Sequence, residues 1–201
     1  EARGEYLLFL NNDVEIITEN WLEEMLQLCQ QKDVGMVGAK LYYPDDTIQH
    51  AGVVVGLGGV AAHVLCKLPR DAEGYMGRLR CVQEISAVTA ACMMVKTSVF
   101  KAVGGFDEEL KVAFNDIDLC MKVRKYGVKI VFTPYAELYH YESKSRGMED
   151  TPEKQLRFSR EVNCFRRKWE RELLKGDPYY NPNLTLNNTD CSLRKQEKNG
   201  D

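Results

Sequence analysis

Asp13 closes the run Leu7-Leu8-Phe9-Leu10-Asn11-Asn12-Asp13, in which two amides and a carboxylate follow four apolar residues without a break. A carboxylate at the end of a buried strand suits a hard divalent cation such as Mg2+ or Mn2+. Such ions take oxygen ligands and keep positions open for phosphate. An ordinary exposed turn is the competing use, because Asn and Asp bond readily to their own backbone. A second set of carboxylates, Asp116 and Asp118, opens the helical pattern "NDIDLCMKVRKYG". The positive end of a helix, or any nearby cation, keeps such groups ionised. A neighbouring carboxylate pushes the other way and can raise one pKa toward that of a general base. Residues two apart on a helix do not face each other, so the pair divides into two roles, with simple N-capping as the alternative. The third element is His140, between two tyrosines in "PYAELYHYESKSRG". It reads as a packed structural residue or, beside carboxylates, as an additional ligand for Mn2+. The following Ser143 to Gly147, with Ser145 and Arg146, form a polar, basic segment suited to gripping a diphosphate.

These groups need elements to place them. Residues 5–10 read as a central strand, and 34–43 as another. Between them lies a helix with Leu22, Met25, Leu26 and Cys29 on one face at i, i+3, i+4 and i+7. The β–α–β order predicts a mostly parallel sheet covered by helices, so the class is α/β. Ligands of open α/β sheets bind just beyond the carboxyl ends of strands, which is where Asp13 falls. Residues 44–79 are long and glycine-rich and predict an extended excursion with one or two short strands, a lid or substrate-side loop. Residues 82–96 predict a core strand, "TSVFKAVGG" a short helix closed by glycine, and "VKIVFTP" a strand ended by Pro134. From residue 151 the pattern becomes an amphipathic helix with Leu156, Val162, Phe165 and Trp169 on one side. An irregular tail that wraps the surface or is disordered follows. The organisation is therefore one domain over 1–150 and a C-terminal helix and tail over 151–201.

Composition narrows the partners. A net charge of −3 argues against nucleic acid, which wants a basic surface. The charge is uneven: residues 151–201 carry 11 Lys and Arg against 8 Asp and Glu, the remainder 16 against 22. Seven cysteines with no CxxC pair predict reduced, buried thiols in a cytosolic protein rather than a metal knuckle or a disulfide framework. No stretch is apolar and long enough to span a bilayer.

Taken in order, "LLFLNNDVEI", "AVTAACMMVKTSVFKAVGGFDEEL" and "FNDIDLCMKVRKYGVKIVFTPYAELYHYES" resemble the inverting family 2 glycosyltransferases of the GT-A fold. The likeness is greatest to the bacterial enzymes of O-antigen, rhamnan-type and other surface polysaccharides. It covers residues 5–147 and implies a Rossmann-like GT-A sheet. It also implies a cytoplasmic enzyme, within reach of the inner membrane face, that moves a sugar from a nucleotide-sugar donor to a glycan or lipid-linked acceptor with Mn2+ or Mg2+. Asp13 falls on the metal-binding end of the family's DxD position, with Asn11 in place of its first acidic residue. Asn11 and Asn12, with Ser145 and Arg146, would face the donor diphosphate. Asp116 falls on the catalytic base, Asp118 on a supporting position, and His140 on a late histidine that completes the metal site. The Ala90, Ala91 and Cys92 backbone and the Gly105, Phe106 and Asp107 turn would line the acceptor, and His63 reads as structural or acceptor-side. The family's fold opens with a nucleotide-binding half, and this sequence begins at the DxD strand. The expectation is thus the C-terminal portion of a longer enzyme, with weak or no transfer by itself. A non-catalytic, degenerate transferase module that binds carbohydrate or a protein is the alternative.

Overall fold

The computed structural model describes residues 2–142 and 151–195. In chain order the elements are β1 (Tyr6–Leu10), β2 (Val14–Ile16), α1 (Trp21–Cys29), β3 (Val34–Tyr42), β4 (Ile48–His50), β5 (Val53–Val55) and β6 (Ala61–His63). They continue with β7 (Gln83–Glu84), β8 (Cys92–Lys96), α2 (Thr97–Ala102), α3 (Asn115–Tyr126), β9 (Lys129–His140), α4 (Pro152–Lys168) and α5 (Glu170–Lys175).

A mixed sheet runs β1-β8-β3-β9-β2, with β4 added to β3 and β7 to β9. Its longest pairing, β3 with β9, is parallel, and the others are antiparallel. Because β8 lies antiparallel to both β1 and β3, the strands β1, β3 and β9 all point the same way. That is the direction implied by the β–α–β reading, with β8 inserted between the two expected neighbours. Among the described strands β1 is at an edge rather than in the centre, and Leu8 and Leu10 are partly exposed.

Strand β3 is buried on both faces, as its run of small and branched residues requires. Gly38 is there because a Cβ would meet the side chain of Val88 at 2.3 Å. Helix α1 packs through Trp21, Met25 and Cys29. The stripe is rotated from the expected one, and Leu22 is exposed because the larger indole takes the buried position. Strand β9 does not stop at Pro134. Its register against β3 shifts between Gly38 and Lys40, and the proline sits in that irregularity, where a missing N–H breaks no ladder bond. The expected strand 82–96 divides into β7 and β8, leaving residues 85–91 as a connector along the sheet end.

The glycine-rich excursion is core rather than lid. Ile48 to Val55 are all buried, and β5 pairs with β6 in a small second sheet. The tail wraps this excursion: Val55 N–H donates to Asp177, Leu65 N–H donates to the Thr189 carbonyl, and Tyr180 and Leu184 are buried.

Candidate active site

Three chain segments meet beyond the carboxyl ends of β1 and β9. Strand β1 delivers Asn11 to Asp13. Strand β2 turns back antiparallel to β9, with Val14 opposite His140, and Tyr141 N–H donates to the Asp13 carbonyl at 2.9 Å. The continuation of β9 past Pro134 is therefore what brings His140 beside Asp13.

Hydrogen bonds fix the state of His140. Gln49 Nε2 donates to the His140 carbonyl at 3.2 Å, which orients the amide so that Oε1 faces His140 Nδ1 at 2.7 Å. An amide oxygen only accepts, so Nδ1 carries the proton. Asn11 Nδ2, which only donates, lies 3.0 Å from Nε2, so Nε2 presents its lone pair. Asp13 Oδ1 is 3.3 Å from the same nitrogen and is buried with no hydrogen-bond partner. With the Asn11 amide displaced from Nε2, that lone pair and the buried Asp13 oxygen would form a donor pair that fits a divalent cation. Among the described residues no three His, Cys, Asp or Glu side chains cluster to hold a metal alone. Other positions would fall to ligand oxygens and water, as hard cations commonly allow.

Asp116 reaches the same edge by a different route. Asn11 N–H donates to the Ala91 carbonyl at 3.0 Å, and Ala90 N–H donates to Asp116 Oδ2 at 3.1 Å. Two residues of connector thus tie the end of β1 to the first turn of α3. Asp116 Oδ1 accepts Ile117 N–H at 2.9 Å, so with Ala90 on Oδ2 both carboxylate oxygens are held. Phe114, immediately before the helix, sits at φ 63°, a left-handed conformation costly for an aromatic residue. Its ring stacks near Phe165 and Phe158 of α4. The buried carboxylate of Glu161 accepts the N–H groups of Lys111, Val112 and Ala113 just upstream, at 2.8 to 3.1 Å. Helix α4 therefore holds the approach to Asp116 in shape. Glu161 and Gln49 escaped the sequence reading: neither type is expected in a core, and nothing in the text marks which polar residue is buried.

Asp118 is placed elsewhere. It is fully buried: Oδ1 accepts Trp169 Nε1–H at 2.8 Å and forms an ion pair with Lys168 Nζ at 2.7 Å, while Oδ2 has the Lys122 ammonium at 3.0 Å as an ion pair without a hydrogen bond. Lys168 also bonds to Asp107, and Lys122 to the Gly105 carbonyl. Asp118 and the Gly105–Asp107 turn thus form one network joining α3 to α4, and Phe106 packs edge-on to Phe9. On α4 the buried residues are Glu161 and Phe165, with Trp169 just beyond; Leu156, expected inward, is exposed. Cys92 turns its thiol into the core toward Met25, and burial pushes its pKa up to about 12. The acceptor side expected at Ala91 and Cys92 therefore rests on backbone. Asn12 is exposed at the turn, and Ser145 and Arg146 lie outside the described residues.

A cavity of about 280 Å3 opens beside His140, lined also by Gln49, His63, Thr89 and Glu142. A larger one of about 560 Å3 lies over Lys40 and Tyr42. Within it Arg70 pairs with Asp46 and Glu137, and Tyr42 donates to Glu137.

The mixed sheet flanked by helices is that of a GT-A glycosyltransferase fold. The chain belongs to the glycosyltransferase-like family, whose pattern it matches over residues 1–161. It is 56% identical over 194 residues, 96% of its length, to "Uncharacterized protein y4gI" of Sinorhizobium fredii (strain NBRC 101917 / NGR234). It is 41% identical over its whole length to "O-antigen biosynthesis protein RfbC" of Myxococcus xanthus. The chain spans 21% and 16% of these two relatives. The fold is similar to that of GalNAc-T7, solved with UDP, GalNAc and Mn2+, at a TM-score of 0.58 and 14% identity over 85% of this chain and 33% of that one. No helix among the described residues is long and apolar enough to cross a membrane.

Proposed function

We propose that the chain carries the metal-and-base part of an inverting sugar transfer from a nucleotide-sugar to a glycan or lipid-linked acceptor, in surface-polysaccharide synthesis at the cytoplasmic face of the membrane. The observation that carries this reading is the meeting of Asp13, His140 and Asp116 through a few short backbone links at one end of the sheet. The name of the Myxococcus relative supports the pathway. The UDP and Mn2+ of the solved neighbour support the donor class and the cofactor.

Mn2+ or Mg2+ bound at Asp13 and His140 would supply positive charge against the departing diphosphate. Gln49 holds His140 in the tautomer that offers Nε2 once the Asn11 amide moves off it, and Asn11 and Asn12 would then face the donor's diphosphate. Asp116, fixed by two N–H groups, takes the proton of the acceptor hydroxyl as that oxygen attacks the anomeric carbon. Attack comes from the face opposite the leaving nucleotide diphosphate, so the configuration inverts. Asp118 positions α3 through its ion pairs and does not touch the reacting atoms. Titration calorimetry with Mn2+, with and without UDP, tests the first half, and nucleotide release from a panel of nucleotide-sugars tests the second. Wild type binds Mn2+ and Asp13→Ala does not. Equal binding by both, or full release by Asp116→Asn, would remove the reading.

A further inference from the structure

Strands β4 and β6 each end in a histidine, and the two rings meet. His50 is fully buried, and its Nδ1 lies 3.0 Å from Nδ1 of His63, with the ring planes at 78°. Two imidazole nitrogens at that distance need one proton between them. Burial, with His63 and His140 nearby, holds the His50 pKa well below the ordinary value, so the ring is neutral with a single N–H. Its Nε2 is buried and has no hydrogen-bond partner. A proton there would strand a donor, whereas a proton on Nδ1 strands only a lone pair. Stranded buried N–H groups are the rarer of the two. His50 therefore donates from Nδ1, His63 accepts at Nδ1, and a neutral His63 carries its own proton on Nε2.

With Nδ1 turned to His50, Nε2 is the remaining polar atom of His63, a residue that lines the 280 Å3 cavity with Thr89, His140 and Glu142. The surroundings are rich in acceptors. Burial lowers the His63 pKa, and the carboxylates of Asp116 and Glu142 and the Gln49 carbonyl oppose it. Thr89, on the cavity wall, is followed by Ala90, whose N–H holds Asp116 Oδ2 at 3.1 Å, so the cavity lies next to the segment that positions Asp116. The volume lies just below the range of about 300–1,000 Å3 usual for ligand sites, room for one sugar ring rather than an oligosaccharide.

We infer that His50 locks His63 as the Nε2–H tautomer, and that this N–H donates to a hydroxyl oxygen of the acceptor sugar ring seated in the cavity beside Asp116. The inference rests on the reading of Asp116 as the base for an acceptor hydroxyl. It makes His63 a binding residue and His50 a positioning residue. Neither is a metal ligand.

Two-bond 1H–15N spectra of the 15N-histidine-labelled chain give the tautomers directly. Nδ1–H on His50 and Nε2–H on His63 are expected, and the reverse pattern overturns the inference. His50→Asn keeps a donor at the same reach and preserves the His63 pattern, while His50→Leu releases it. In the Mg2+-loaded chain, methyl glycosides of rhamnose, mannose and N-acetylglucosamine are then titrated, and at least one moves the His63 Nε2–H signal. His63→Ala weakens that glycoside about tenfold, and His63→Gln, which retains an N–H, keeps it within about threefold. A signal that no glycoside moves, or that UDP with Mg2+ moves by itself, overturns the assignment to the acceptor. Nucleotide release retained by Asp116→Asn would instead remove the base while leaving the tautomer result in place.

Discussion

Asp116 and Asp118 stand two residues apart on the first turn of α3, yet they occupy opposite kinds of environment. Asp116 lies on the rim, oriented by the N–H groups of Ala90 and Ile117, and among the described residues no cation forms an ion pair with it. Asp118 is sealed from water, with two ammonium groups and an indole N–H around it. The same side chain is a candidate base in one place and a rivet in the other. What separates them is the 100° turn of each residue about the helix, which sends position i to the sheet end and i+2 toward α4. A carboxylate intended for proton transfer must keep a free face, whereas a structural one must have every face filled.

Substitutions can break this contrast. The largest effect is expected at Asp118→Leu, which leaves Lys122 and Lys168 against an apolar surface and the Trp169 N–H unpaired. Breaking a buried pair from one side costs about 3–5 kcal/mol, read as a lower urea midpoint. If Asp118→Leu unfolds at the same urea concentration as wild type, the rivet is not one. Asp116→Asn is its counterpart: nucleotide release falls about 100- to 10,000-fold, while the urea midpoint moves by no more than about 1 kcal/mol. A stability loss equal to that of Asp118→Leu would mean the two residues do the same job.

Smaller effects sharpen the picture of the donor pair. Gln49→Leu leaves Asp13 and His140 in place but frees the imidazole to rotate and change tautomer. Loss of such an orienting partner lowers metal affinity about 10- to 100-fold, which calorimetry with Mn2+ would show beside an unchanged urea midpoint. Unaltered affinity would mean His140 is held by something else. The smallest expected effect is Leu22→Ala on α1, within about 0.5 kcal/mol because the residue is exposed. Trp21→Ala costs about 3–5 kcal/mol, and equal losses at the two positions would put the helix back on its sequence-predicted face.

Helix α1 illustrates what could and could not be read beforehand. Periodicity predicts its existence, but its rotation depends on whether an indole or a leucine fills the space under β3. Helix α4 was likewise visible as a helix, while its docking surface was not. Leu156 points outward, and the buried contacts are made by Phe165, Trp169 and a glutamate that caps a loop 50 residues earlier in the chain. Proline normally ends a ladder, so the sequence predicts a strand that stops at Pro134, and only the register shift against β3 lets it continue to His140.

The amino-acid order alone determined which groups were worth watching. A carboxylate after an apolar run, a doubled Asp at a helix start and a histidine after a strand are local patterns, written in neighbouring residues. Tertiary structure decided which of them share a space and in what chemical state. Gln49 settles the proton of His140, His50 that of His63, and Lys168 with Trp169 withdraws Asp118 from the rim. Such assignments depend on partners from 13 to 91 residues away, and hydrogen bonding and burial act through space rather than along the chain.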